Sequence, residues 1–348
     1  MIIIIKNLYQ RHRPAPLVLA LALIILVLSG INGCRETGGD GSHGYAGSGP
    51  GPDAGTGPDA GTGPGADAAT DTDAALRPSD PVVYVPDAPG TKVIGTDTLT
   101  VDISNTDQGY IMVRYSGSAD RVNIQITGSD DVHYKYFLGP SSDFTALPLT
   151  DGSGVYAIDG YEHIADSKYS VLFHETVDVR LENELLPFLY PSQYVNFIAD
   201  SLAVSTAQEV VSGAVSDLDA VADIYHYIIT HISYDEEKAA TVASGYLPDV
   251  DETLATGRGI CFDYAALTCA MLRSQNIPAK LEIGYAGEIY HAWISVYTDE
   301  TGWIDRLIEF SQGGWTRMDP TFASGKDNDS EILDYINDNS NYQTLYSR

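Results

Sequence analysis

The sequence predicts an α+β fold in which a β-sandwich domain precedes a domain that packs helices against an antiparallel sheet. Three observations support this prediction. Apolar and polar side chains alternate through residues 81–183, and helical spacing of apolar side chains follows from about residue 190. The third observation is a cysteine, a histidine and an aspartate in one segment: Cys261, His291 and Asp319. The apolar fraction of 44% in 348 residues suffices for two cores.

The charge of the chain is strongly negative. It has 19 basic and 48 acidic residues, which gives a formal net charge of −29. Such a charge repels nucleic-acid backbones and anionic lipid head groups, so we expect no nucleic-acid partner. It is typical of a protein that must stay soluble outside the cell.

Residues 1–34 are typical of a signal peptide. Lys6, Arg11 and Arg13 precede the apolar run 17–28, which is short for a membrane-spanning helix of ~20 residues. The sequence 31–34, Ile-Asn-Gly-Cys, resembles a bacterial lipobox. We therefore expect export and a lipid anchor on Cys34, at the bacterial cell surface or the outer face of the cytoplasmic membrane. An ordinary signal peptide and an uncleaved anchor are the alternatives.

Residues 35–80 have low complexity. The repeat 52–57, Pro-Asp-Ala-Gly-Thr-Gly, recurs at 58–63 and then gives way to Asp, Ala and Thr. Such a composition buries too little apolar surface to offset the entropy of ordering. We predict a disordered tether.

Residues 81–183 predict a β-sandwich of about seven short strands. The alternating runs begin at Leu99, Ile111 and Val122, and later runs cover 155–158, 169–173 and 177–181. Turn signals rich in Gly, Asp and Ser separate them. The domain's histidines lack metal-ligand spacing, and we interpret them as surface or packing residues: His133, His163 and His174.

A second domain is predicted over residues 190–325, followed by a C-terminal tail at 326–348. Its first helices are expected at 203–212 and 217–231, the latter with apolar side chains at helical spacing. Ser216 and Asp219 resemble a capping box at the start of the second helix.

Gly257 and Gly259 mark a turn, after which residues 261–274 are predicted to form a helix. This places Cys261 in the first turn, where free backbone N–H groups and the helix dipole favour a thiolate and can hold an oxyanion. Cys269 lies among apolar residues in mid-helix and is expected in the core. The two cysteines are ~12 Å apart along the helix, which is too far for a disulfide.

Strands are predicted at 280–285 and 291–297, so His291 would begin the second of them. A further strand at 315–318 would bring Asp319 to the far ring nitrogen of His291, and Asp305 is the competing carboxylate. A thiol nucleophile needs a base, and the base needs a group that orients its ring. The three residues therefore predict a Cys-His-Asp catalytic triad.

Four motifs in order resemble the transglutaminase-like superfamily of papain-type cysteine enzymes: Gly-x-Cys-x-x-Tyr-Ala, Arg-x-x-x-Ile-Pro-Ala, His-Ala-Trp and Met-Asp-Pro-Thr-Phe. The resemblance covers about residues 195–325 and implies a papain-like core. In that core Cys261 would be the nucleophile, His291 the general base and acid, and Asp319 the orienting residue. The region from Gly154 to Tyr194 also resembles exported bacterial proteins that join a β domain to this core.

The resemblance implies acyl transfer or amide cleavage on peptides or proteins through a thioester, and we favour a peptidase or amidase. A cross-linking transglutaminase is the alternative reaction, and a non-catalytic surface binding protein is the alternative of another class. Tyr234 is the candidate second oxyanion donor, or otherwise a packing tyrosine.

No cofactor or metal is expected, since the calcium ligands of the family's animal members match no motif here. The acidic residues at 327, 329 and 331 lack the pattern of an EF-hand loop and are interpreted as a solvated loop.

Overall fold

The computed structural model describes residues 75–304 and 342–348. The predicted signal peptide with Cys34, most of the predicted tether, and the segment with Asp305 and Asp319 lie outside the described residues. Within the described ranges, no helix combines the length and apolar character that crossing a membrane requires.

Two sheets form the β domain. In the described part of the chain they are four-stranded and antiparallel, in the orders β1-β2-β3-β6 and β5-β4-β7-β8. Apolar residues of both sheets share one core, as the period of two predicts, and this makes the domain a sandwich. The strands are β1 (Val93–Gly95), β2 (Leu99–Asp102), β3 (Tyr110–Tyr115), β4 (Val122–Thr127), β5 (His133–Leu138), β6 (Thr145–Pro148), β7 (Gly154–Ala165) and β8 (Lys168–Val179).

Strand β8 of the sandwich differs from the prediction. The runs 169–173 and 177–181 were expected as separate strands, but β8 extends without a break from 168 to 179 along β7. The polar residues 174–176 interrupt the apolar pattern without interrupting the ladder. His174 Nδ1 lies 2.6 Å from Asp159 Oδ1 on β7, so a cross-strand polar pair replaces the apolar contact there.

The end of the predicted tether also differs from the prediction. We expected disorder through residue 80, but the Arg77 amide donates to the Ala214 carbonyl at 2.8 Å, and its Nε lies 2.5 Å from Asp217 Oδ1. The Val82 amide donates to the Ser274 carbonyl at 2.8 Å. Residues from 77 onward therefore pack on the helical domain before the chain enters the sandwich. Composition could not reveal this, because the contacts come from polar atoms of distant residues.

The second domain surrounds one central helix. Among the described residues its helices are α1 (Leu202–Val210), α2 (Asp217–His231), α3 (Glu236–Thr241), α4 (Val250–Thr256) and α5 (Cys261–Ser274). The described strands of the main sheet have the order β13-β12-β11-β14, and β9 (Ser233–Tyr234) pairs in parallel with β10 (Arg258–Gly259). The strands of the main sheet are β11 (Ala279–Ala286), β12 (Ile289–Thr298), β13 (Gly302–Ile304) and β14 (Tyr342–Ser347).

Helix α5 is buried around nearly its whole circumference, because it packs against β11 and β12 on one side and against α1, α2 and α4 on the others. Its start and the bounds of α2 agree with the predictions. The predicted cap of α2 is present: Ser216 Oγ accepts from the Asp219 amide at 3.1 Å and donates to the Asp219 carboxylate at 3.0 Å.

The prediction of a C-terminal tail at 326–348 is wrong for residues 342–347. Tyr342–Ser347 forms β14 and pairs antiparallel with β11, so these residues belong to the main sheet. A register shift between Ile283 and Gly284 accompanies this pairing. A Cβ at Gly284 would collide with the Gln343 carbonyl, and only glycine permits this approach. The pairing was missed because its partner strand lies far back in the sequence.

Arg273, the first residue of the Arg-x-x-x-Ile-Pro-Ala motif, has a structural role. The side chain is fully buried, and its guanidinium donates to the carbonyls of Ala279, Tyr190 and Arg348. Burial lowers the pKa of Arg273 to about 10, which still leaves it charged at neutral pH. This one cation therefore joins the end of α5 to the interdomain segment and to the residue after β14.

Candidate active site

Cys261 is the first residue of the 14-residue helix α5. The backbone turns sharply before Cys261. Gly257 ends α4 with φ 62°, the short strand β10 follows, and Ile260 is extended at φ −97° and ψ 174°. Glycine at 257 is needed because other residues rarely adopt this φ. Cys261 is a free thiol, and its side chain is half-buried. The thiol thus lies where backbone N–H groups lack intrahelical partners.

Cys269 differs from Cys261 in burial and in its position on α5. It is fully buried in mid-helix, and burial raises the pKa of its thiol to about 12. A protonated, inaccessible thiol is a poor nucleophile. The prediction of a core cysteine at this position is confirmed.

His291 is the third residue of β12 and lies opposite Gly284 on β11. It is 6% exposed, and its ring centroid is 6.4 Å from that of Trp293. Trp293 donates from Nε1 to Glu282 Oε2 at 2.6 Å, which satisfies the buried indole. The strand predicted at 291–297 lies within β12, and on it Ala292, Ile294 and Val296 share the apolar core that contains α5.

The structure places Cys261 and His291 on two elements in direct contact, α5 and β12. The pairing of thiol and imidazole, and the orientation of the imidazole by Asp319 rather than Asp305, stay predictions. Both aspartates lie outside the described residues.

Tyr234 is brought next to the nucleophile's segment. It belongs to β9 and lies opposite Gly259, two residues before Cys261. Burial, and to a lesser extent the charge of the nearby Cys261, raises the pKa of Tyr234 to about 12. The phenol is therefore protonated at neutral pH and can donate a hydrogen bond. This is the property that an oxyanion donor requires.

Asp263 is a residue of this site that the sequence reasoning missed. Its carboxylate is fully buried in the first turn of α5 and accepts from the Ile260 amide at 2.8 Å. It also contacts Lys238 Nζ at 2.8 Å and accepts from the Tyr246 hydroxyl at 2.6 Å. An acidic residue at the third position of a helix was the available signal. This signal is weak, because Ile260 has no side-chain acceptor to complete a capping box.

Aromatic side chains surround the start of α5. The ring of Phe262 lies 5.6 Å from that of Tyr194 and 6.5 Å from that of Tyr246, centroid to centroid. Tyr290, next to His291, is 57% exposed and pairs with Tyr285 at 5.6 Å. Within the described residues, no group of three potential metal ligands comes together.

Residues 204–320 match the family described as the transglutaminase-like superfamily. Three of the four motifs lie within this segment and the fourth begins in it, and the mixed helix and antiparallel-sheet architecture agrees with it. The chain therefore carries a transglutaminase-like domain.

A UPF0252 protein of Methanocaldococcus jannaschii is 31% identical over 93 residues, which cover 23% of this chain and 26% of that protein. The chain thus matches about a quarter of that relative's length.

Three solved structures are similar at low identity. A candidate cysteine protease from Cytophaga hutchinsonii has 15% identity and a TM-score of 0.35, with 74% of each chain covered. A candidate protease from Parabacteroides distasonis has 15% identity and a TM-score of 0.27, with 55% of this chain and 38% of that chain covered. The transglutaminase of red sea bream has 13% identity and a TM-score of 0.27, with 63% and 48% covered. These scores support no functional argument.

Proposed function

We propose that the chain is a thiol enzyme that acts on amide bonds of peptides or proteins, with Cys261 as its nucleophile. The observation that supports this most is the position of Cys261. It is a free, half-buried thiol at the start of a buried helix that packs against the strand of His291. A binding scaffold has no need for a thiol at this position.

In the proposed reaction the Cys261 thiolate attacks the amide carbonyl carbon, and backbone N–H groups of α5 and the Tyr234 hydroxyl donate to the oxyanion. His291 gives a proton to the leaving amine as the C–N bond breaks, which leaves a thioester. It then accepts a proton from water as that water attacks the thioester, and the acid and thiol are released. Asp319 would orient the His291 ring throughout.

We propose hydrolysis, by a peptidase or amidase, rather than cross-linking. Water is abundant outside the cell, and the sequence has no identifiable amine-binding motif. The test incubates the full chain with a glutamine peptide and a labelled primary amine. We expect released acid or cleaved backbone, with little amine in the peptide. Efficient amine incorporation without hydrolysis would show a cross-linking enzyme instead.

We also propose that the enzyme is exported and anchored through lipid on Cys34. The basic residues, the apolar run 17–28 and the Gly-Cys pair at 33–34 support this. Metabolic labelling with palmitate in a bacterial host should mark the protein and should fail for Cys34→Ala. Equal labelling of both would contradict the anchor without affecting the proposed chemistry.

A further inference from the structure

The carboxylate of Asp263 is held by donors from three separate segments. The Ile260 amide immediately precedes α5, Lys238 belongs to α3, and Tyr246 lies in the loop between α3 and α4. Lys238 Nζ also donates to the Tyr246 hydroxyl at 2.6 Å and lies 4.5 Å from the centroid of that ring. The three side chains therefore form a closed cluster, which we call the Asp263 cluster: Lys238, Tyr246 and Asp263.

This cluster fixes the path of the chain into Cys261. Asp263 anchors the amide of Ile260, the residue directly before the nucleophile. A Cβ at Gly259 would lie 2.7 Å from Asp263 Cβ, so the strand that leads to Cys261 rests on this side chain. Moving Asp263 would therefore move the backbone on which the thiol and the oxyanion-binding amides depend.

A buried carboxylate so close to a thiol carries an electrostatic cost. A like charge disfavours the thiolate, and burial weakens the solvent screening of that repulsion. Lys238 supplies the opposing charge at 2.8 Å. Burial acts to lower the pKa of Lys238, but its hydrogen bonds to Asp263 and Tyr246 and the charge of Asp263 outweigh this, so the net shift is upward.

We propose that Asp263 is a positioning residue for the nucleophile and that Lys238 neutralises its charge so that Cys261 can ionise beside it. This inference rests on the proposed role of Cys261. Asp235 and Arg258, on elements that flank the start of α5, pair with each other at 3.3 Å and oppose each other's charge. The variants below leave the other titratable groups of the surrounding elements unchanged, among them Tyr234, Glu236, Glu237, Tyr246, Tyr264, His291, His231, Asp251, Glu252, Lys280 and Glu282.

The test measures the rate of Cys261 alkylation by iodoacetamide against pH, in the full chain, by mass spectrometry of the Cys261 peptide. We expect Lys238→Met to move the midpoint of this profile upward, because the Asp263 charge becomes uncompensated. At a pH below both midpoints, a midpoint that lies one pH unit higher lowers the alkylation rate roughly tenfold. Lys238→Arg should restore the original midpoint. Lys168→Met, an exposed lysine of the β domain, controls for the change in net charge.

Asp263→Asn should move the midpoint of the alkylation profile in the direction opposite to that of Lys238→Met. Loss of the negative charge leaves the Lys238 charge uncompensated and moves the midpoint down. The amide oxygen of Asn can still accept from the Ile260 amide, so Asp263→Ala, which removes the acceptor, tests the anchor and should lower turnover. A general loss of folding would not produce a more acidic thiol. If Asp263→Asn does not fold, the contrast between Lys238→Met and Lys238→Arg decides the matter.

An unmoved midpoint in Lys238→Met, or full turnover in a folded Asp263→Ala variant, would overturn the inference. The proposed function fails separately, if Cys261 of the unaltered protein reacts no faster than an unfolded thiol.

Discussion

Tyr234 pairs in parallel with Gly259, and the adjacent Asp235 amide donates to the Gly259 carbonyl at 2.9 Å. These two-residue strands are short, but they tie the loop after α2 to the segment that leads into α5. The candidate oxyanion donor and the nucleophile are therefore held by one hydrogen-bonded unit. The geometry of this unit, rather than the composition of the loop, gives Tyr234 its place beside Cys261.

Tyr234→Phe tests the role of this phenol. Removal of one oxyanion donor costs on the order of 10²–10³ in kcat, and we expect a loss of this size with little change in KM. Tyr227→Phe is the matched control, because Tyr227 lies on α2 and stacks on His231 with ring centroids 4.1 Å apart. A Tyr234→Phe variant as active as Tyr227→Phe would show that Tyr234 only packs.

The division of labour within the predicted triad can be tested by four alanine variants. Cys261→Ala should abolish turnover, and His291→Ala should be nearly as severe, since the leaving amine loses its proton donor. Asp319→Ala should cost on the order of 10²–10⁴ through loss of ring orientation. Asp305→Ala should have little effect. The kinetics of each variant are measured after circular dichroism has confirmed its folding. An inactive Asp305 variant beside an active Asp319 variant would show that Asp305 orients the imidazole instead.

Arg273→Met should destabilise the fold. The carbonyls of Ala279 and Tyr190 each lose a donor, and an unsatisfied buried acceptor costs ~1–3 kcal/mol. We expect the free energy of unfolding, from urea titrations, to fall by roughly 2–5 kcal/mol. Arg180→Met is the control, because it removes the same charge from a side chain that is 88% exposed. It should change the free energy of unfolding by less than about 0.5 kcal/mol. Equal effects of the two variants would refute the structural role of Arg273.

Stability should decline in alkaline solution. Burial raises the pKa of Tyr136 to about 12 from its ordinary value of 10.0, although the charge of Arg348 works in the opposite direction. A folded-state pKa above the unfolded value contributes stability that is complete below pH 10 and is lost as pH rises toward 12. Urea titrations at several pH values should show that the free energy of unfolding falls between pH 10 and 12. For Tyr136→Phe the free energy of unfolding should fall less steeply with pH. An identical slope in that variant would contradict the assignment.

The sequence predicted those features that depend on local pattern. The start of α5, the bounds and cap of α2, the strand at 291–297 and the burial of Cys269 each follow from residues close to one another in the chain. The period of two similarly predicted a sandwich without showing which runs would merge, because the bond between Asp159 and His174 cannot be inferred from periodicity.

The features that the sequence did not reveal depend on contacts between distant segments. β14 pairs with β11 from the far end of the sequence, and Arg77 binds Asp217 across the helical domain. Asp263 was missed for the same reason, since its significance comes from Lys238 and Tyr246, neither of which belongs to a recognised motif.

The most direct test of the proposed function is the reactivity of Cys261 itself. The full chain is treated with iodoacetamide at about pH 6, folded and in denaturant, and each cysteine-containing peptide is quantified by mass spectrometry. The account predicts that folded Cys261 reacts many times faster than the denatured thiol, while Cys269 reacts only after unfolding. If folded Cys261 reacts no faster than the denatured thiol, it is not an activated nucleophile, and a non-catalytic binding protein becomes the better explanation.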